Sequence, residues 1–422
     1  MRVLPALRAG FSVPASDAID NQPAPLPSIA IVALSFAAFA SAISLRLTDA
    51  LLPRLAAQFA VSLGDASAVI TAFSIAYGLS QLFFGPIGDR FGKYLVIAWA
   101  CFACVITATL CALAPNLPSL VLARLLAGAS AAAVIPLSMA WIGDVVAYEH
   151  RQPVLARFLI GQILGVSAGV LIGGVAADHL NWRVPFAGVA LAFLTIGLIL
   201  LSVNRRLPAA PRTADKRDGS ALRRMIAEFR EVLRKPWARV VLLTVFLEGA
   251  LVYGAFAFIA SHLHRVYGMS LSAAGLVVML FGFGGFLFAL SSKLLVRRLG
   301  EVGLSLWGGA LLFASLLATG LAPVWWWALP SCFIAGLGFY MLHNTLQTNA
   351  TQMAPERRGA AVSAFACCFF LGQSVGVALA GRWVERIGTA AVIAAGAIGV
   401  FAVAINFARL RSHSLPVKVS AE

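Results

Sequence analysis

The sequence predicts an all-α membrane protein, with twelve transmembrane helices arranged as two pseudo-symmetric bundles of six. Three observations lead there. The chain of 422 residues is 60% hydrophobic and 12% charged, with a mean hydropathy of +0.89, against roughly 45–50% apolar and 25% charged in ordinary soluble proteins. Apolar runs recur twelve times, each near the ~20 residues that a helix rising 1.5 Å per residue needs to cross a hydrocarbon core of about 30 Å. Segments of the first half also recur in the second: GQILGVSAG at 161–169 returns as GQSVGVALAG at 372–381, YEHRQ at 148–152 aligns with PERRG at 355–359, and DRFGK at 89–93 has an echo in RRLGE at 297–301. Duplicated six-helix units are common in secondary transporters.

In order, the runs cover roughly 29–52, 67–86, 94–114, 119–143, 153–177, 185–203, 238–261, 272–295, 302–322, 325–348, 360–381 and 389–408. This divides the chain into an N-terminal tail (1–28), a six-helix bundle (29–203), a basic loop (204–237), a second bundle (238–408) and a C-terminal tail (409–422). The tail 1–28 lacks the continuous apolar run of about 7–15 residues that a signal peptide needs, so it is expected to stay on the cytoplasmic side. Cytoplasmic loops carry the excess of lysine and arginine. With the N-terminus inside, all but seven of the 32 basic residues fall on the cytoplasmic side, the seven being Arg46, Arg54, Arg124, Arg183, Arg265, Arg382 and Arg386. Both termini are then cytoplasmic, and Trp325, Trp326 and Trp327 form an interfacial aromatic belt at the outer end of the tenth run. Within the basic loop, SALRRMIAEFREVLRKPW spaces Leu222, Met225, Ile226, Phe229 and Leu233 as one helical face, opens on Ser220 and stops at Pro236. It reads as a short helix on the inner leaflet, its arginines meeting either anionic lipid at 220–235 or water.

A net charge of +15 does not indicate nucleic acid, because such binders need a basic face on a folded soluble domain and here the basic residues sit in gaps between apolar runs. All six cysteines lie within apolar segments, where cysteine behaves as a small hydrophobe. CFAC at 101–104 lies mid-helix without further ligands, FGFGG at 281–285 lacks the strand–turn–helix unit of a dinucleotide site, and no Walker loop is present. No metal, cofactor or ATP-driven step is expected.

GPIGDRFGK at 85–93, between the second and third runs, resembles the Gly-x-x-x-Asp-Arg-x-Gly-Arg/Lys signature of the major facilitator superfamily. The twelve runs, the basic middle loop and the echo at 297–301 extend that resemblance over the whole chain. It implies that Gly85, Gly88, Asp89, Arg90, Gly92 and Lys93 form a gating latch joining the two halves while the protein is open outward. Physically, Gly85 and Gly88 are expected to let the second helix approach a neighbour closely, Gly92 to permit a tight turn, and Asp89 to face helix N-terminal amides or an arginine across the cytoplasmic gap. Arg124 with Gly128 is similar to the family's fourth-helix Arg-x-x-x-Gly pattern. GQILGVSAGVLIGG resembles its antiporter fifth-helix motif, with Ala168-Gly169 in place of Gly-Pro; plain helix-packing glycines are the alternative.

Charge at a bilayer centre costs about 2.5–3.5 kcal/mol or more, so charged residues there normally face a cavity or a partner. Away from segment ends these are Arg46 and Asp49 on run 1, Arg124 on run 4, Glu248 on run 7 and His343 on run 10. The resemblance implies that these four helices line the central cavity. Asp49 and Arg124 lie at a similar depth and are expected to pair, with Arg46 a competing partner at i−3. Glu248, near the midplane and nine residues from Arg239, the one basic residue of its own run, is the first candidate for proton exchange and Asp49 the second. His343, placed deeper toward the cytoplasm, is either a relay or a hydrogen-bonded structural residue. Tyr253, Phe256, Tyr340, Asn344 and Gln347 are candidate substrate-cavity residues.

The expected function is that of a monomeric secondary transporter in a bacterial inner membrane, working by alternating access and driven by the proton gradient. It resembles the drug:proton antiporters and sugar-efflux-type permeases, which implies export of a small organic or amphiphilic molecule. An uptake symporter on the same fold is the first rival, and a non-transporting membrane receptor the second.

Overall fold

The computed structural model describes residues 28–207 and 221–414, and the backbone alone at 148–149, 152, 221–225 and 414. The expected tail up to residue 27, the 208–220 part of the basic loop with Ser220, and the tail beyond 414 lie outside the described residues, as do the side chains of Glu149, Leu222 and Met225.

Six spans make the first half: Ser28–Arg46, Leu63–Phe91, Lys93–Leu113, Leu117–Val145, Pro153–His179 and Val184–Asn204. The second half opens with a seventh span, Pro236–Tyr267, and continues through Leu271–Leu321, Trp325–Gln352 and Pro355–His413. The first and last of these three each hold two crossings, because the helix breaks at Gly300 (φ 60°, ψ −175°) and at Gly388 (φ 82°, ψ 163°). A Cβ is strained at such positive φ, which is why glycine stands at both turns. The eighth and ninth spans are therefore 271–299 and 301–321, and the eleventh and twelfth are 355–387 and 389–413. Each half has its own apolar core, one led by residues such as Phe73, Phe158 and Trp182, the other by Phe256, Phe281 and Phe407.

The expected first run, 29–52, does not remain helical to its end. The helix stops at Arg46, the chain turns with Asp49 N–H bonded to the Arg46 carbonyl (3.1 Å) and Leu51 N–H to that of Thr48 (3.2 Å), and a new short helix covers Leu52–Phe59. Pro53 has no N–H to return to the Asp49 carbonyl, so the α ladder cannot pass through this point. Asp49 thus sits in a turn beyond the first helix. The fourth span pauses between Ala131 and Val134, where Pro136 likewise leaves the Ala132 carbonyl without a donor, and the seventh pauses between Phe256 and Ile259.

Repeated glycines close the helix pairs. Along the fifth span, Gly161, Gly165, Gly169 and Gly173 lie against the carbonyls of Ser35, Phe39, Ile43 and Leu47 of the first span and its turn, so closely that an added Cβ would come within 2.2–2.9 Å. Gly372 and Gly376 of the eleventh span meet the carbonyls of Phe246 and Ala250 on the seventh in the same manner. The glycine-rich segment therefore serves close helix packing. Gly165→Leu is expected to lower the thermal midpoint of the purified protein by about 3–10 °C, while Gly188→Leu, where nothing lies within 4 Å, leaves it unchanged. Equal midpoints in a melting assay would refute the close approach.

The halves meet unevenly. Cross-half hydrogen bonds run from Ser167 Oγ to the Met279 carbonyl (3.2 Å), from Ser374 Oγ to the Thr71 carbonyl (3.2 Å) and from Gln373 Nε2 to Ser74 Oγ (2.8 Å), with further contacts at the end of the bundle opposite the GPIGDRFGK turn. At the GPIGDRFGK end the ion pairs of Lys93 stay within the first half. The bundle is closed at the end opposite this turn.

Candidate functional site

The first buried polar centre forms where the first helix ends. Arg46, its last residue, is buried, and its Nη1 lies 3.5 Å from Asp49 Oδ2. Nη2 donates to Gln373 Oε1 of the eleventh span at 3.2 Å, and Gln373 Nε2 donates back to Ser74 of the second span. The guanidinium carbon stands 4.0 Å over the Tyr253 ring of the seventh span and 5.7 Å from that of Phe256, an arrangement in which the ring's quadrupole stabilises the cation. Through these contacts one arginine joins the two halves. Arg46 Nε and Asp49 Oδ1 remain buried without a hydrogen-bond partner among the described residues.

Arg124 does not pair with Asp49. Its Nη1 donates to the Ser44 carbonyl (2.8 Å), its Nε to the Val69 carbonyl (3.3 Å), and its guanidinium lies 4.1 Å over Phe73. The reason is local. Gly128, one turn on, lets the fourth span close on the backbone of Phe73 (2.1 Å to an added Cβ), and the Ser44 carbonyl near the end of the first helix is within reach. The expected Asp49–Arg124 pair is replaced by Asp49–Arg46 and an arginine held on backbone carbonyls.

The second centre joins the seventh and tenth spans. Glu248 is fully buried, and its Oε2 lies 2.9 Å from Nδ1 of His343. His343 is therefore not deeper than Glu248 but level with it. The imidazole is packed by Phe339 (5.0 Å), Phe369 (4.7 Å) and Phe365 (5.4 Å), and 17% of its side chain stays exposed. Glu248 Oε1 has no partner among the described residues. A buried carboxyl touching a partly exposed imidazole can pass a proton between water and the interior, because an imidazole ring can accept a proton at one nitrogen and donate one from the other. Tyr253 connects the centres, with Arg46 on its face and Phe339 and Phe369 edge-on at 5.5 Å each.

Of the remaining candidates, Phe256 and Tyr340 stay beside the two centres, packed on Tyr253 and Phe339 (5.7 and 5.3 Å), while Asn344 and Gln347 share no hydrogen bond with them among the described residues. Phe256 packs on Phe281 (4.6 Å) inside the second core, and Tyr340 lies against Gly285, where an added Cβ would come within 2.2 Å of its ring. Asn344 is half-buried and accepts from Thr348 Oγ1 through its carbonyl, whereas Gln347 is exposed. In the gating motif, Gly92 makes the turn at φ 94°, Gly88 packs against Leu137, and Arg90 lies over the exposed Phe91. Gly85 does not serve close approach, since nothing lies within 4 Å of it. Asp89, 61% exposed, pairs with Lys93 (3.1 Å), which also holds Asp144 (2.6 Å), so its partner lies in its own half and not across the gap. A groove of about 450 Å³ between the first and fifth spans carries one charge, Arg157, and none of the buried ions.

The helix expected on the inner leaflet, observed at Ala221–Arg234, docks on the second half. Val232 is buried, Glu231 and Glu228 hold Arg357 (2.9 and 3.5 Å), and Lys235 pairs with Glu356. Arg357→Ala is expected to free this helix and raise its protease sensitivity severalfold; an unchanged cleavage pattern counts against the tether. Screening for charge in apolar runs missed Gln373 and Ser74, although Gln373 lies inside the repeated GQSVG segment.

Two repeated six-span halves enclosing buried ions are the architecture of secondary transporters. The chain belongs to the Major Facilitator Superfamily, whose family model matches residues 34–377, and it is an integral membrane protein of transporter fold. It is similar to the uncharacterized MFS-type transporter YceJ of Bacillus subtilis strain 168, with 28% identity over 340 residues covering 79% of this chain and 84% of that protein. It is also similar to the multidrug efflux protein YfmO of that organism, with 26% identity over 398 residues covering 92% and 95%. Among solved structures, the nucleoside transporter NupG superposes with a TM-score of 0.73 at 14% identity, covering 92% of this chain and 99% of that one. A bacterial homologue of the human lysosomal transporter Spinster, inward-facing and unoccupied, gives 0.70 at 21% identity, covering 92% and 98%.

Proposed function

We propose that this transporter is a proton-coupled exporter of small amphiphilic organic molecules. The observation that carries the reading is the buried Glu248 carboxyl bonded to the partly exposed His343. A proton held there must be released before the carboxyl can take its charged form beside the imidazole. Burial makes that exchange sensitive to whether the surroundings are wet or filled by substrate. The aromatic side chains of Tyr253, Phe339, Phe365 and Phe369 around the pair suit an amphiphilic solute, and the likeness to a multidrug efflux protein supports export.

The charge distribution favours placing the GPIGDRFGK end, the linker helix and residues 28 and 413 on the cytoplasmic side. The closed end then faces outward, which is the state from which an exporter would load its substrate on the cytoplasmic side. Asp89, which has no partner across the gap among the described residues, is free to meet one when that gap closes. Asp89→Asn is expected to lower turnover and favour the cytoplasm-open state without unfolding the protein, as read by cysteine labelling at the two mouths. Normal transport with unchanged labelling would remove the latch.

The test of function is a panel of amphiphilic cations, anions and neutral solutes in oriented proteoliposomes under an imposed pH gradient. Uphill movement of at least one solute against the proton flow, collapsing with the gradient, is the expected result. Accumulation in the same direction as the protons would establish the uptake symporter instead.

A further inference from the structure

We infer that Asp178 and Glu385 are a matched pair of gate residues, each capping the first N–H groups of a helix in the opposite half and together holding that end of the bundle shut. This rests on the alternating-access reading of the transporter. Asp178, one residue before the end of the fifth span, accepts from the backbone N–H groups of Leu271 (3.2 Å) and Ser272 (2.6 Å), which open the eighth span. Glu385, at the matching end of the eleventh span, accepts from Leu63 N–H (2.9 Å), which opens the second span. In both helices a serine N-cap, Ser270 or Ser62, takes a later N–H, from Ala273 or Asp65, and leaves the first ones free. The carboxylate from the other half takes what the serine leaves. Those groups carry the positive end of the helix dipole, so a carboxylate suits them better than a neutral acceptor.

The duplication relates the carboxylates, the glycines one turn before them and the serine caps of the two contacts. Asp178 and Glu385 are 207 residues apart, and so are Gly174 and Gly381, one helical turn before them; Ser62 and Ser270 are 208 apart. The glycines allow the approach. An added Cβ on Gly174 would come within 2.3 Å of the Leu271 carbonyl, and Gly64 meets the Gly381 carbonyl at 2.1 Å. Each half therefore offers a glycine, a carboxylate one turn later and a serine-capped helix start, and receives the same from its partner. Three differences break the symmetry: Glu385 takes one N–H where Asp178 takes two, Ser272 stands 208 residues after Gly64, and Arg265 Nη2 lies 3.4 Å from Glu385 Oε1. These contacts must break whenever this end opens, so they set the balance between the two states.

The experiment uses the full chain in nanodiscs, with spin-label pairs at Gln58 and Pro323 for the closed end and at Ala147 and Arg298 for the GPIGDRFGK end. Asp178→Ala and Glu385→Ala are each expected to raise the open-to-closed ratio at the Gln58–Pro323 end about fivefold, and together about 25-fold. The other pair should shorten in step. Asp178→Asn and Glu385→Gln keep an acceptor oxygen and should shift the ratio less, which also serves should the alanine variants not fold. A wild-type equilibrium that none of the variants moves overturns the gate assignment alone. A single fixed distance at both ends in every variant overturns alternating access itself.

Discussion

Glu248→Gln is expected to abolish transport driven by a pH gradient while leaving substrate binding within about threefold of wild type. The amide copies the shape and neutrality of the protonated acid, so it can still face His343 Nδ1, which lies 2.9 Å from the native carboxyl, but can no longer release a proton. Downhill exchange of substrate for substrate should survive, because that process needs no change of protonation. His343→Gln should give a milder phenotype: the proton site remains, but its partly exposed neighbour no longer links it to water. A loss in driven rate at or below the roughly 100-fold lower bound for a positioned proton-transfer group fits a relay role of this kind. Transport assays in proteoliposomes with and without a gradient separate the two variants. If Glu248→Gln still pumps uphill with normal pH dependence while Asp49→Asn does not, the proton site belongs to the Arg46–Asp49 centre and Glu248 becomes a recognition residue.

The second large effect concerns Arg46. Its removal as Arg46→Ala leaves Asp49 buried without its ion-pair partner and breaks the bridge to Gln373, a change of the kind that costs about 3–5 kcal/mol when a buried pair loses one member. Removing both as Arg46→Ala/Asp49→Ala should recover much of that loss, with a coupling energy of about 1–3 kcal/mol in a double-mutant cycle. The corresponding Arg124–Asp49 cycle should show weaker coupling, since Arg124 makes no direct contact with Asp49 and already donates through Nη1 and Nε to the carbonyls of Ser44 and Val69, with Nη2 alone left without a partner among the described residues. Thermal melting of the four variants in each cycle decides this. Strict additivity for Arg46 and Asp49 together with strong coupling for Arg124 would reverse the assignment.

The twelve crossings were legible because hydropathy integrates over a whole span, and the pseudo-symmetry because a glycine ridge that helix packing demands recurs in both halves, although packing sets Gly372 as the counterpart of Gly165, one turn on from the Gly161 that the GQILG–GQSVG match implied. Hydropathy is blind to a turn made of apolar and small residues. The breaks after Arg46 and Phe256 therefore passed unseen inside continuous apolar runs. Arg46, Asp49, Arg124, Glu248 and His343 could be picked out one by one, since an ion in an apolar run is costly wherever it points. Their pairing could not, because partners such as Glu248 and His343 are 95 residues apart, and Arg46 and Gln373 are 327 apart. Depth estimated along the helix also misled for Asp49 and Arg124: equal depth does not give equal direction, and Arg124 finds backbone carbonyls first. Gln373 escaped because a neutral amide is far cheaper to bury than a charge, and Asp178 and Glu385 because carboxylates at helix ends look like ordinary surface residues until the opposite half is placed against them.

The central claim, that substrate and proton are exchanged through the Glu248–His343 pair, is tested most directly by proton release on binding. Purified protein in weakly buffered solution with a pH-indicator dye would be mixed with a substrate found in the proteoliposome panel. Wild type should release a proton as substrate binds, with the release absent in Glu248→Gln even though the substrate still binds. Equal release from Glu248→Gln and wild type would contradict the claim, and its loss in Asp49→Asn instead would move the coupling to the other buried centre.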